Sequence, residues 1–306
     1  MLRYLLGRIA CSAAAVWLVA TLTFLLLHAV PGDPFSTEKG VPQVVLRNLA
    51  ARYGLDRPLW EQYCRYLGGM LRGDLGLSMR YPNRTVAGVI AQGFPCSAAV
   101  GALALFFGLP AGYLLGVAGA LRRGRASDRL LVAVALVGVS VPGFVAASFL
   151  QYLFGVRWGL LPVAGWGTLR HLVLPSLSLG LWVAAVSARL VRAGMVDVLG
   201  EQYVLYARAK GMPGRVVVFR HAFRNAVLPL ASALGPVAAH VVAGTFAVEQ
   251  VFGMPGLGKH FVQAACNLDY TLVMGLAVFY AALLSAAVLA GDVLCAALDP
   301  RIRLGG

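Results

Sequence analysis

Acidic side chains are scarce in this chain: 12 Asp and Glu stand against 26 Lys and Arg. Charge of either sign is thin as well, at 12% of 306 residues, where a soluble domain carries about a quarter. With 59% hydrophobic residues and a positive mean hydropathy, the composition is that of an integral membrane protein. Cysteine is sparse too. Cys11, Cys64, Cys96, Cys266 and Cys295 are odd in number and scattered, with no CxxC or Cys/His cluster, so they imply neither a metal site nor a disulfide framework. A Cys64–Cys96 bond is conceivable only if both face an oxidising compartment. Catalytic signatures are missing: no G-x-x-x-x-G-K-[ST], no G-x-S-x-G, no H-E-x-x-H and no paired carboxylates. No catalytic chemistry is visible, so any energy-consuming step would have to be borrowed from elsewhere or run on an ion gradient. The formal charge of +14 lies in loops between apolar runs. Those cations read as topology signals and lipid-headgroup contacts rather than a nucleic-acid surface.

A membrane span needs about 20 apolar residues. Runs of that kind occur at roughly Ile9–Val30, Phe94–Leu121, Leu130–Phe154, Leu172–Met195, Val227–Phe252 and Leu272–Leu298. The first is too long for a signal peptide and has no small-residue cleavage site after it, so it reads as a retained span. Six spans place both termini on one side. Arg3, Arg8, Arg122, Arg123, Arg125, Arg129, the cations from Arg189 to Arg224, Arg301 and Arg303 share that side. By the Lys/Arg rule it is cytoplasmic. The expected organisation is a first span (1–30), an extracytoplasmic loop (31–93), a five-span core (94–298) and a short cytoplasmic tail (299–306). In the loop, Val44–Tyr53 and Leu59–Leu71 have helical spacing and read as short surface helices.

Within the core, Glu201 to Pro229 is a polar, basic island inside the cytoplasmic segment 197–229. Its first half reads as a short helix with Tyr203, Ala207 and Gly211 on one face and Glu201, Leu205 and Arg208 on another. Gly211 suits the left-handed residue after a helix end, and Pro213 suits the start of a second helix carrying Arg215, Arg220, His221 and Arg224. Two short cationic helices broken at a glycine beside a membrane look built to dock something.

Tyr203-Val204, Ala207-Arg208-Ala209-Lys210-Gly211, His221, Arg224-Asn225-Ala226 and Pro229 together resemble the EAA loop of ABC-importer permeases, in the form of the dipeptide/oligopeptide/nickel branch, B-type subunit. The resemblance continues through most of the chain. It includes Pro31-Gly32-Asp33-Pro34, Tyr53-Gly54-Leu55-Asp56 with Pro58, Gln62-Tyr63, Gly73-Asp74-Leu75-Gly76 with Ser78, and Leu160-Leu161-Pro162 with Gly165. It closes with Glu249 and Phe252 before Pro255-Gly256-Leu257-Gly258, Asp269-Tyr270, and Leu298-Asp299-Pro300-Arg301. The chain departs from the family at Phe94-Pro95-Cys96-Ser97, at Thr271, and at Ala290-Gly291 before Asp292.

The resemblance implies an all-α membrane protein of MetI-like fold with six transmembrane helices. It implies a role as permease subunit of an ATP-binding cassette importer for peptides in the cytoplasmic membrane, with nickel or haem as other solutes of the branch. The implied partners are a homologous second permease, two ATPase subunits and an extracytoplasmic solute-binding protein. No cofactor is expected on this chain; ATP and Mg belong to the ATPases. The implied coupling residues are Glu201, Tyr203, Ala207, Arg208, Ala209, Lys210, Gly211, His221, Arg224 and Asn225. Tyr203, Ala207 and Gly211 would pack in the ATPase cleft, with Arg208 and Lys210 as polar contacts. Glu249, His240 and Asp292 are pathway or gate candidates; Glu249 also has a structural reading as a turn contact, and His240 as a neutral histidine held by a neighbouring helix. A self-sufficient secondary transporter is the reading from another class. It would need related halves with broken helices or intramembrane carboxylates, and no such repeat is visible.

Overall fold

The computed structural model describes residues 2–30, 43–81, 83–218 and 223–298. Twelve α-helices are described: α1 (Leu2–Ala29), α2 (Gln43–Tyr53), α3 (Leu59–Leu71), α4 (Val86–Leu121), α5 (Ala126–Ser140), α6 (Gly143–Leu150), α7 (Leu169–Leu199), α8 (Gln202–Ala209), α9 (Gly214–Val216), α10 (Phe223–Val251), α11 (Leu257–Cys266) and α12 (Tyr270–Leu298). Extended pairing among the described residues is limited to the bridge between Leu77 and Thr85. Stretches within α1, α4, α7, α10 and α12 are long and apolar enough to cross a membrane.

The expected span over Leu130–Phe154 is a broken one: α5 and the helical segment that starts with α6 meet at 102°. Pro142 is the cause. It has no N–H for the carbonyl of Gly138, and it drives the preceding Val141 out of the helical region, to φ −77° and ψ 121°. α6 then runs into a π-helical turn, Gln151–Arg157. The helix that carries the second expected span, Phe94–Leu121, starts earlier than that run. α4 begins at Val86, with the Thr85 hydroxyl accepting from the Gly88 amide (3.0 Å), and continues through Pro95.

The chain divides into two compact units. The first holds Met1–Ile9, Cys96–Pro255 and Ala286–Gly306. Its apolar core joins α4, α6, α7 and α10 through Val100, Ala104, Leu150, Leu174, Val183, Val241 and Phe252. The α4–α7 contact is a glycine seam. A Cβ on Gly108 would lie 2.7 Å from Val183 Cβ, on Gly112 2.5 Å from Ser187 Cβ, and on Gly116 2.7 Å from the Ala188 carbonyl. Spaced four apart, the three glycines let the helix backbones close to a distance that any side chain would prevent. Likewise Gly291, one of the departures from the family pattern, would place a Cβ 2.7 Å from the Gly235 amide, so α10 and α12 meet backbone to backbone. The turn near Trp158 and Trp166, both exposed, is fastened by Gly165 N–H donating to the Phe252 carbonyl (2.9 Å) and by the Gln151 amide, which donates to the Val163 and Val251 carbonyls.

The second unit holds Ala10–Pro95 and Gly256–Ser285. Its tie point is Asp269. This buried carboxylate accepts from the Leu272 amide (3.0 Å), capping α12, and from Met79 N–H (3.1 Å), Arg80 N–H (3.2 Å) and the Ser78 hydroxyl. Asp74 closes its turn by accepting from the Gly76 amide (2.9 Å). α3 packs on the C-terminal half of α1: Tyr63 bonds Thr21, and Gln62 meets His28. Burial pushes the Tyr66 phenol well above its usual range, with Tyr63 adding to the shift, so it stays protonated and donates to the Met274 carbonyl. Burial, then Lys259 and Arg84, hold the His260 imidazole below its ordinary value.

Candidate coupling site

α7 has 31 residues and is therefore about 46 Å long, against about 30 Å of hydrocarbon. Its excess length carries the chain past the apolar layer before the backbone turns at Gly200 into α8. The Glu201 carbonyl opens α8 by accepting from the Val204 and Leu205 amides. Val204 (0% exposed) and Ala207 (4%) bury one side of α8 in a core formed with Val191, Met195, Val198, Val217, Val218 and Leu230. The other side is open: Tyr203, Leu205 (51%), Tyr206 (64%), Ala209 and Lys210 are exposed, and the Lys210 ammonium sits 4.6 Å from the centre of the Tyr206 ring. Gly211 ends the helix at φ 78°, and Met212 N–H reaches the Ala207 carbonyl (3.4 Å), as in a Schellman turn.

Of the residues expected to pack in an ATPase cleft, Ala207 is buried against its own chain, where it anchors the helix. Tyr203 remains outward. Tyr206 is not in the expected coupling set, although it is more exposed than Tyr203 and Leu205 on the same helix. Among the expected polar contacts, Lys210 is outward, and the side chain of Arg208 lies outside the described residues. His221, with the side chains of Arg224 and Asn225, lies outside them too.

Beside α8, α5 is clamped to α7. Arg192 Nε and Nη2 donate to the two carboxylate oxygens of Asp128 (2.6 and 2.8 Å), and Asp128 also accepts from the Gly124 amide (3.0 Å). The basic loop Arg122–Asp128 therefore folds over a buried acid, and Arg192 has a specific partner beyond reaching for headgroups. Of the pathway candidates, Asp292 forms a salt bridge with Arg8 at 3.2 Å, joining the start of α1 to the end of α12. Glu249 is wholly buried in this conformation, and its backbone carbonyl takes the Met254 amide where the chain turns (2.9 Å). His240 is exposed and stacks on Trp182, with ring centroids 3.6 Å apart. Among the described residues no cluster of His, Cys, Asp and Glu could hold a metal ion.

Residues 108–304 match the family described as binding-protein-dependent transport system inner membrane component, and residues 1–103 match its N-terminal companion. The chain belongs to this family. It is 38% identical over 304 residues to the dipeptide transport system permease protein DppB of Bacillus subtilis, covering 99% of both chains. It is 37% identical to the oligopeptide transport system permease protein OppB of Salmonella typhimurium, covering 99% of this chain and all of that one. Among solved structures, the inward-facing MetNI methionine ABC transporter aligns with a TM-score of 0.51 at 21% identity, over 69% of this chain and 96% of that one. That likeness supports the fold. As an inner membrane component with several spanning helices, this permease is a multi-pass inner-membrane protein. Tyr206 and Asp128 are two positions of this permease that the structure singles out and the sequence reading does not name as candidates. Tyr206 carried a usable signal, an aromatic next to Leu205 in a polar island. Asp128 carried none, because its partner is 64 positions away.

Proposed function

We propose that this chain is a transmembrane permease subunit of an ATP-driven importer of peptides, coupled to its ATPase through the exposed face of α8. The observation that carries the reading is the build of α8. A helix fastened by Val204 and Ala207 at the projecting end of α7 holds Leu205 and Tyr206 largely exposed on its opposite side. Aromatic and aliphatic side chains on a rigid helix suit insertion into a groove of a partner. Closure of an ATPase dimer would move α8, and α7 with it, switching the spans between inward- and outward-open arrangements. The distribution of Arg and Lys supports a cytoplasmic α8 and cytoplasmic termini. A homologous permease, two ATPase subunits holding ATP and Mg, and an extracytoplasmic binding protein complete the assembly. Relatives named for dipeptide and oligopeptide transport favour peptides over nickel or haem.

The test is copurification of the chain with its ATPase from mildly solubilised membranes. Tyr206→Glu and Leu205→Glu, both at exposed positions, are expected to lose the ATPase and solute uptake while the chain still inserts. Retention of the ATPase by both variants would sink the coupling role of α8. A chain that purifies alone and exchanges solute without ATP would sink the importer reading.

A further inference from the structure

The break between α5 and α6 leaves backbone polar groups at membrane depth. Pro142 offers no N–H to Gly138, and the last carbonyls of α5 have no donor within their own helix. Non-helical backbone at that depth is tolerated where it is buried in protein or lines a water-filled cavity. Here it lines a cavity of about 360 Å³, walled by Val139, Ser140, Val141 and Pro142 on one side and by Trp182 and His240 on the other. That volume falls within the range of small-molecule sites.

His240 is the second, independent observation. It stands well inside the apolar span Ala226–Val251, yet its side chain is exposed on the face that also carries exposed Ala243 and Ala247. An ionisable group turned outward from a span is costly against lipid and marks a polar path. Its ring is held flat against Trp182, 16° from parallel, which fixes its direction toward the same cavity that the broken helix opens into. Small side chains at Ala243, Gly244 and Ala247 keep that wall low.

We propose that this cavity is a station on the solute path, where Trp182 and His240 contact a passing peptide. The α5 carbonyls would accept its amide N–H groups or its α-ammonium, which the C-terminal end of a helix favours. His240 would exchange hydrogen bonds with the peptide backbone, and Trp182 would present a plane to apolar side chains. The inference rests on the importer reading and deepens it.

Accessibility of single cysteines tests it in the assembled complex. All five native cysteines are replaced by serine, and Ser140→Cys, Ala243→Cys and Ala247→Cys are compared with the exposed span position Leu136→Cys. The probe is a charged, membrane-impermeant methanethiosulfonate. A charged reagent is excluded from hydrocarbon, so modification at least about tenfold faster at the three cavity positions than at Leu136→Cys is the expected result. Rates as slow as at Leu136→Cys, with the ATPase still bound, would overturn the station and leave the importer reading standing. Crosslinking of Ala243→Cys to a second permease would also overturn it, making this face a subunit contact. Loss of the ATPase from the parent complex would instead count against the importer reading. In proteoliposomes that take up radiolabelled trialanine, His240→Ala and Trp182→Ala are expected to raise KM about tenfold; an unaltered KM in both would remove them from the path.

Discussion

Gly112 faces the backbone of α7 so closely that an added Cβ would sit 2.5 Å from both the Ala184 carbonyl and Ser187 Cβ. Neither atom belongs to a flexible side-chain end, so a larger residue there must push whole helices apart. Gly112→Leu is expected to cost on the order of 3 kcal/mol, seen as a lower melting temperature of the purified chain and a lower yield from membranes. Gly124→Ala, where nothing lies within 4 Å but φ is 80°, should cost closer to 1 kcal/mol. At this scale the sequence was legible wherever backbone geometry alone set the residue. The left-handed turn at Gly211 and the Asp74 turn could be read from residue type and position. Ala207 could not, because α8 carries apolar residues on both faces: Val204 and Ala207 turn inward, Leu205 and Tyr206 outward. Helical spacing separates such faces without saying which one is covered.

Among the elements, α5 and α7 depend most on a single contact. Asp128 is buried at the first turn of α5 and takes both its strong hydrogen bonds from Arg192, so removing either partner strands the other charge. Arg192→Ala is expected to destabilise the α5–α7 pair and weaken coupling of ATP hydrolysis to uptake. The exchanged pair Asp128→Arg with Arg192→Asp should recover part of the loss, read as thermal stability and as uptake per ATP hydrolysed. Failure of Arg192→Ala to alter either quantity would reduce the contact to a surface ion pair. Helix existence and approximate length were readable from apolar runs, since a span needs so many consecutive apolar residues. The interruption at Pro142 was not. The run Leu130–Phe154 is apolar throughout, and hydropathy is blind to one missing N–H.

At the level of the whole chain, the Arg and Lys bias assigns sides, and labelling in right-side-out vesicles checks it. In the cysteine-free background, Leu71→Cys on α3 is expected to react at once with an impermeant maleimide, and Arg123→Cys only after the vesicles are opened. The reverse pattern would invert the topology and place α8 out of reach of any cytoplasmic ATPase. The bend at Pro142 also bears on how the protein is made. α5 alone, at 15 residues, extends about 22 Å, too short to bridge about 30 Å of hydrocarbon, and α6 is shorter still. Neither half therefore satisfies a translocon that samples one segment at a time. The pair has to be held at the lateral exit until α7 emerges to shelter it, so synthesis paused before Leu169 should leave a chain the membrane has only partly accepted.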